Sequence, residues 1–119
     1  VTGDITSGTS ADLSAAGGDV SVTGNVTGDT SVTAQATEGN VTVGGSLISQ
    51  NGDTVLSASD SQKLEGKGNI RVTGSVDSAH DIEMTTDDGA IAVDGTLKAD
   101  KAVDVTTEDG AITVGTSVK

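Results

Sequence analysis

The sequence predicts an all-β fold: a parallel β-helix (β-solenoid) with about 21 residues and three short strands in each coil. Glycine recurs at a nearly fixed interval, and apolar residues recur at matched positions after each glycine. These apolar residues alternate with polar ones, which is the periodicity of strands. The chain has no aromatic residue, and only 33% of it is hydrophobic. A thin core of small aliphatic side chains fits this composition.

The repeat is marked by a glycine that precedes each Val-x-Val or Ile-x-Val pair. These glycines are 21, 29, 21 and 21 residues apart, at Gly18, Gly39, Gly68, Gly89 and Gly110. The 119 residues therefore form a single solenoid segment, in which full coils begin at the first four glycines and residues 1–17 and 110–119 are partial coils. Because both partial coils fit the same frame, we expect the segment to belong to a longer repeat array.

Each coil is predicted to contain three strands, near positions 1–5, 7–9 and 13–17 after its glycine. Apolar side chains recur at positions 2, 4, 8, 14 and 16, which in the fourth of these units are Ile91, Val93, Leu97, Val103 and Val105. One coil cannot bury its apolar row alone, so the coils must stack. Stacking at about 4.8 Å aligns equivalent residues in parallel sheets.

The second full coil is eight residues longer than the others. Alignment of Gly28–Ala34 with Gly52–Ala58 predicts three extra residues near Ile48–Asn51 and five within Ser59–Lys67. The dipeptide Asn-Gly at 51–52 is a strong turn signal and supports the first insertion.

Loops that leave a regular solenoid face are where binding concentrates. We therefore expect any specific contact to involve these insertions, which comprise Ile48, Ser49, Gln50, Asn51, Ser59, Asp60, Ser61, Gln62, Lys63, Leu64, Glu65, Gly66 and Lys67.

An antiparallel β-sandwich is the main alternative fold, since it also has many short strands bounded by turn residues. A sandwich does not need a fixed 21-residue interval with matched inward positions. Fixed self-similarity is typical of repeat folds, so the solenoid is favoured.

The formal net charge of −12 limits the classes of partner. Nucleic-acid binding needs a basic surface that displaces phosphate counterions, so we expect no nucleic-acid partner. No apolar run approaches the length of a membrane span, and direct membrane insertion is not expected. The chain has no Cys and therefore neither a disulfide framework nor a thiolate metal site.

Two acidic pairs, Asp87-Asp88 and Glu108-Asp109, directly precede repeat glycines. Stacking places the pairs on neighbouring coils about 5 Å apart, where a hard cation such as calcium would relieve the repulsion of four carboxylates. Four turn residues solvated by water and screened by salt explain the same pattern. The spacing does not match the nonapeptide calcium repeat. Both interpretations stay open, and calcium is the one cofactor that the sequence suggests.

No set of residues indicates an enzyme. Glu83 and Asp104 are predicted to stack as a like-charge pair, but glycoside cleavage needs two carboxylates in a cleft, normally with stacking aromatics. The single histidine, His80, lies in a predicted turn without a second His or any Cys to share a metal. Asp19, Asn40 and Asn69 each follow a repeat glycine, where stacked side chains can hydrogen-bond along a ladder. We expect no catalytic or cofactor-binding residue.

The stretches AAGGDVSVTGNVTG, EGNVTVGGSLISQNGDTVLSAS and DGAIAVDGTLKADKAVDVTTEDGAITVG resemble the repeats of filamentous haemagglutinin-type adhesins. These are large exoproteins of two-partner secretion in Gram-negative bacteria, and autotransporter passengers look similar. The resemblance covers essentially the whole chain. It implies a right-handed parallel β-helix, export through an outer-membrane transporter, and a long shaft that displays adhesive or toxic modules. The family's repeats carry no catalytic motif.

Three functional hypotheses follow from the predicted fold and the resemblance. The first is a shaft segment of a secreted or cell-surface bacterial adhesin, which contributes to adhesion to host cells, other bacteria or surfaces through an unidentified surface receptor or glycan. The second is a self-assembling filament or surface-layer subunit, in which chains associate end to end. The third is a glycan-binding or lyase-type β-helix, which the absence of aromatic residues disfavours.

Overall fold

The computed structural model describes residues 2–59, 68–87, 89–108, 110–115 and 117–118. These residues form strands and turns and contain no helix. In chain order the strands are β1 (Ile5–Ser7), β2 (Ser10–Ala15), β3 (Val20–Val22), β4 (Val26–Gly28), β5 (Ser31–Thr37), β6 (Val41–Val43), β7 (Leu47–Ser49), β8 (Thr54–Ser59), β9 (Ile70–Val72), β10 (Val76–Ser78), β11 (Ile82–Thr86), β12 (Ile91–Val93), β13 (Thr96–Ala99), β14 (Val103–Thr107), β15 (Ile112–Val114) and β16 (Ser117–Val118).

The strands form three parallel sheets, which confirms the predicted β-solenoid of about 21 residues and three strands per coil. Sheet 1 has the order β1-β4-β7-β10-β13-β16, sheet 2 the order β2-β5-β8-β11-β14, and sheet 3 the order β3-β6-β9-β12-β15. Every third strand pairs, so each turn of the chain adds one strand to each sheet. The pairing of Ile5 with Val26 and of Val20 with Val41 shows the 21-residue step directly.

The strands differ slightly in position from those predicted. The second strand of a coil begins one residue later than expected in β1, β4, β7 and β10, and at the expected residue in β13 and β16. The third strand extends at least one residue further than expected, as in β11, and reaches seven residues in β5. Its extra length adds an inward row that the predicted apolar positions had missed, formed by Ala15, Ala36, Ala58, Thr86 and Thr107.

The core is a column of aliphatic side chains inside the three sheets. The predicted inward residues of the coil from Gly68 are all buried: Ile70, Val72, Val76, Ile82 and Met84. In the next coil Ile91, Val93 and Leu97 are buried, whereas Val103 and Val105 are only partly buried. These two residues lie in β14, which is the outermost strand of sheet 2 and has a neighbouring strand on one side only.

The longer coil has a different register from the predicted one. Ser49 pairs with Gly28 and Thr54 pairs with Val32. The turn between Ser49 and Thr54 therefore holds one extra residue rather than three. The predicted alignment, which matched Val32 with Leu56, is wrong by two residues. Side chains alternate with a period of two, so a two-residue shift keeps the same side chains inward and leaves the apolar pattern unchanged.

The remaining seven extra residues lie between β8 and Gly68. Ser59 pairs with Thr37 at the end of β8, and the Gly68 N–H donates to the Gly39 carbonyl at 3.1 Å. One residue separates Thr37 from Gly39, whereas residues 60–67 separate Ser59 from Gly68. The total of eight is therefore divided as one and seven, and not as three and five.

The one-residue insertion changes the hydrogen bonding of a buried serine. Ser49 and Ser78 occupy the same inward position in adjacent coils. The Ser78 Oγ lies 2.9 Å from the Asp81 carbonyl oxygen and 2.7 Å from the Gly52 carbonyl oxygen. Ser49 is followed by a turn that is one residue longer, and its buried Oγ has no hydrogen-bond partner in the part of the chain that the structure describes. The Thr54 hydroxyl, at the other end of this turn, is also buried and unpaired.

These two serines should respond oppositely to the same substitution. Ser78→Ala should lower the free energy of unfolding by about 0.5–1.5 kcal/mol, because the hydrogen bond of this hydroxyl to the carbonyls beside it is lost. Ser49→Ala should raise it by roughly 1 kcal/mol, because a buried hydroxyl without a partner is removed. Ala99 already occupies this position one coil further on, so alanine fits the corner. Urea unfolding of both variants measures the difference. Equal losses would show that the Ser49 hydroxyl has a partner.

Candidate functional site

The polar residues at the corner before sheet 3 connect one coil to the next. The Asp19 Oδ1 accepts the Asn40 backbone N–H at 2.8 Å, and the Asn40 Oδ1 accepts the Asn69 N–H at 2.9 Å. The Asn69 Oδ1 in turn accepts the Ala90 N–H at 2.7 Å. The ladder that was predicted at these positions is therefore present. These hydrogen bonds run from side chain to backbone, rather than between stacked amides.

A second ladder of the same kind lies at the corner before sheet 1. Each side-chain oxygen accepts the backbone N–H of the equivalent residue in the following coil, at 2.8–3.1 Å. The accepting oxygens belong to Asp4, Asn25, Ser46 and Ser75, and the last of them accepts the Thr96 N–H. At the third corner, before sheet 2, the Asp53 Oδ1 accepts the Asp81 N–H and the Asp81 Oδ1 accepts the Ala102 N–H, both at 3.1 Å.

Glycine makes room for the ladder side chains. A Cβ at Gly45 would lie 2.7 Å from the Gly24 carbonyl oxygen and would also overlap the Asn25 Oδ1. Such distances are far inside van der Waals contact, so the ladder side chain of one coil occupies the space that the next coil leaves free. At the corner before sheet 1, a glycine is therefore needed wherever the preceding coil carries such a ladder side chain. The regularly spaced pairs Gly24-Asn25, Gly45-Ser46 and Gly74-Ser75 are the sequence signal that could have predicted this second ladder.

The acidic pairs proposed for calcium are only partly visible. Asp87 and Glu108 are both exposed, while Asp88 and Asp109 lie outside the described residues. Within the described residues, no three His, Asp or Glu side chains come together as a metal site. The predicted stacking of Glu83 on Asp104 is confirmed by their pairing. Asp104 accepts a hydrogen bond from the Thr106 hydroxyl at 2.9 Å, which satisfies part of that carboxylate.

The predicted contact loops divide into three groups. Ile48 and Ser49 belong to β7 and not to a loop, because the insertion begins only after this strand. Ile48 points outward and is 36% exposed, whereas Ser49 is buried and unable to contact a partner. Gln50 and Asn51 form an exposed turn, and Ser59 ends β8. The rest of the predicted set lies outside the described residues: Asp60, Ser61, Gln62, Lys63, Leu64, Glu65, Gly66 and Lys67.

Two other polar features are exposed on the surface. The Arg71 guanidinium lies 3.3 Å from the Asp94 carboxylate, and both side chains are at least half exposed. An exposed ion pair of this kind contributes little to stability. His80 lies in a turn, as predicted, and its Nδ1 is 3.9 Å from the Asp53 Oδ1.

A cavity of about 210 Å³ lies against the outermost strands β2 and β3. Its lining is mainly aliphatic and hydroxylic and comprises Leu13, Ser14, Ala15, Asp19, Val20, Ser21 and Val22. Asp19 is the one titratable side chain in this lining, and its Oδ1 already accepts the Asn40 N–H.

These features define a β-solenoid scaffold whose corner side chains hold neighbouring coils together. No helix long and apolar enough to cross a membrane occurs in the described part of the chain. No family model, curated protein or solved structure matches this chain. The resemblance to filamentous haemagglutinin-type repeats therefore stays a prediction.

The ladder before sheet 3 can be extended by one residue. Ala90 follows Asn69 in this row but has no side-chain oxygen, and its successor in the next coil, Ala111, follows a glycine as the earlier members do. Ala90→Asn should accept the Ala111 N–H and raise the free energy of unfolding by roughly 0.5–1 kcal/mol. Asn69→Ala should lower it by about 1 kcal/mol, because the Ala90 N–H loses its acceptor.

The control for this extension is Ala92→Asn, two residues further on and on the outward face of β12. This change introduces the same side chain close to the corner but supplies no acceptor to it. Because Asn is disfavoured in strands, it should leave stability unchanged or lower it slightly. Thermal and urea unfolding of the variants measure these effects. If both asparagines changed stability equally, the ladder would not be the cause.

Calcium addition tests the acidic pairs. We expect no bound cofactor, so the melting temperature should be the same with calcium as with sodium chloride of equal ionic strength. A site filled to 100 times its dissociation constant would instead add about 2.7 kcal/mol to the stability. Calorimetry with and without calcium distinguishes the two. A rise that disappears in the double variant Asp87→Asn and Glu108→Gln would establish the calcium site and contradict our expectation.

Proposed function

We propose that this chain is a structural shaft segment of a secreted or cell-surface bacterial adhesin. The observation that carries the proposal is the coil-to-coil bonding at the three corners, which adds to the backbone pairing of the sheets. Each coil makes these contacts with its immediate neighbours. A fold of this kind gains length by adding coils and does not have to change the coils already present. Length and rigidity are what a shaft needs in order to display a contact surface.

The surface chemistry agrees with such a role. The ladder side chains direct an oxygen at the next coil. The outward positions of the sheets carry residues such as Asp77, Glu83, Lys98 and Asp104. With a net charge of −12, neighbouring shafts repel one another and stay apart in solution. The same charge disfavours nucleic acid and anionic lipid as partners. We propose a surface receptor or a glycan as the partner, and an extracellular location.

The proposed role is not enzymatic. In the described residues the carboxylates of sheet 2 form an outward row, in which Glu83 stacks on Asp104. Such a row does not enclose a substrate bond from two sides, as glycoside cleavage requires. Ring stacking, the other common means of holding a sugar, is excluded because the chain has no aromatic residue. A glycan-binding or lyase-type β-helix is therefore the weaker proposal.

Surface labelling tests the proposed location. Fab fragments raised against the folded chain should label intact cells that produce the full protein. Removal of surface proteins by protease should abolish both the labelling and the attachment of these cells to host cells, other bacteria or coated surfaces. Labelling that requires permeabilised cells would contradict the proposal.

Coil duplication tests the shaft role itself. A second copy of residues 89–109 inserted in tandem should fold as one additional coil and lengthen the solenoid by about 4.8 Å. Export and attachment should both persist. The control is an insert of equal length with Asp in place of its copies of Ile91, Val93 and Leu97, which cannot bury its core and should disrupt folding. Loss of attachment with the intact insert, when its folding is verified by circular dichroism, would count against a spacer role.

A self-assembling filament or surface-layer subunit is the second candidate. The observation that favours it is the parallel pairing of equivalent strands from coil to coil in all three sheets. Parallel pairing of the same kind could continue between chains and give end-to-end association. Light scattering of the purified chain over a range of concentrations separates the candidates. Growth into fibres supports the filament, and a constant monomer size supports the shaft.

A further inference from the structure

The turn between β7 and β8 contains a reactive dipeptide, Asn51-Gly52. Asn51 is exposed, and it donates two hydrogen bonds to Asp29 in the preceding coil. The Asn51 N–H donates to the Asp29 carbonyl at 2.8 Å, and its Nδ2 donates to the Asp29 Oδ1 at 2.9 Å. The Gly52 backbone N–H has no hydrogen-bond partner among the described residues. A free amide nitrogen therefore follows directly after an exposed asparagine side chain.

The other three asparagines are in the opposite situation. Each is followed by a β-branched residue whose N–H donates to a carbonyl of the next coil at 2.8–3.0 Å, in Val26, Val41 and Ile70. The Oδ1 of each asparagine also accepts a backbone N–H of the next coil, as described for the two corner ladders. The nitrogen that would attack and the side chain that it would attack are thus both held by hydrogen bonds. Of the three Asp-Gly pairs, Asp94-Gly95 lies wholly within the described residues, and its Gly95 N–H donates to the Gly74 carbonyl.

We propose that Asn51 is a site of spontaneous covalent modification through its own backbone. The Gly52 nitrogen attacks the Asn51 Cγ and forms a new N–C bond. The bond from Cγ to Nδ2 breaks, and ammonia leaves with the proton that the Gly52 nitrogen loses. The product is a cyclic succinimide. Water then adds to one of its two carbonyls and opens the ring, giving aspartate or isoaspartate at position 51. No oxidant, enzyme or cofactor takes part.

Packing against the preceding coil requires the glycine of this dipeptide. A Cβ at Gly52 would overlap the Thr30 carbonyl oxygen of the preceding coil, so this position requires glycine. Glycine offers the least steric hindrance to attack on the preceding side chain. Gly52 also lies two residues before β8, which begins at Thr54, so its N–H takes no part in the pairing of sheet 2. The packing that fixes the turn is therefore what leaves the reactive nitrogen free.

The modification would weaken this corner. An aspartate at position 51 replaces a donor to the Asp29 carboxylate with a second negative charge, and like charges at this distance repel. An isoaspartate adds one atom to the backbone of the turn. The Gly52 carbonyl, which lies within hydrogen-bond distance of the Ser78 hydroxyl and the His80 N–H, would then be displaced. We expect the modified chain to unfold more readily than the unmodified one.

The test compares each asparagine in the folded and in the urea-unfolded chain. Both samples are incubated in the same mildly alkaline buffer, and peptide mass spectrometry follows the conversion of amide to carboxylate. An isoaspartyl methyltransferase assay identifies the isoaspartate. For each site, the rate in urea divided by the rate in the folded chain gives a protection factor that removes the intrinsic effect of the next residue. We expect protection at Asn51 to be at least about tenfold smaller than at Asn25, Asn40 or Asn69, because strand amides exchange only on local opening. Equal protection at all four would overturn the proposal.

Two variants complete the test. Asn51→Gln keeps an amide but lengthens the side chain, and should abolish the conversion at this position without unfolding the protein. Continued isoaspartate formation in this variant would place the reaction elsewhere and contradict the proposal. Asn51→Asp represents one of the two products and should lower the melting temperature. An unchanged melting temperature would overturn the predicted weakening of the corner. Neither outcome depends on the proposed role as an adhesin shaft.

Discussion

The structure depends on the stacking of equivalent backbone positions at the spacing of neighbouring strands, about 4.8 Å. Three parallel sheets use this spacing at the same time, so a residue in one coil has a fixed partner in the next. The corners obey it as well, because the Asp19, Asn25 and Asp81 side chains each accept an N–H one coil further on. Without these side chains, the N–H groups would bond to water or have no partner. An N–H group without a partner lowers the stability of the fold wherever the corner is shielded from water.

This constraint also determines where the chain can vary. A substitution at an outward position affects one row of one sheet, and Thr27, Ile48, Asp77 and Lys98 follow one another in sheet 1 without disturbing the register. A substitution at a corner affects two coils, because the ladder side chain of one coil lies where the glycine of the next has no Cβ. Outward rows and insertions are therefore the places that can acquire a specific contact at little cost in stability.

Much of the fold could be predicted from the sequence, because the same types of residue recur at matched positions of each coil. The spacing of Gly18, Gly39, Gly68 and Gly89 indicated the coil length, and the alternation around them indicated which residues face inward. The register within the longer coil could not be predicted, because Thr54 and Leu56 both face inward and a shift by two residues is invisible to an alternating pattern. The second ladder was missed because its members differ chemically while serving the same backbone contact.

The longer coil departs from the hydrogen bonding of the regular coils. At its longer turn, the Ser49 and Thr54 hydroxyls are buried and, like the Gly52 N–H, have no hydrogen-bond partner among the described residues. A regular coil has none of these features at the same corner, as the satisfied Ser78 hydroxyl shows. The same coil carries the seven-residue insertion after β8. A shaft that only had to be long would gain nothing from such a coil, so its irregular turn and insertion are the features that a purely structural role does not explain.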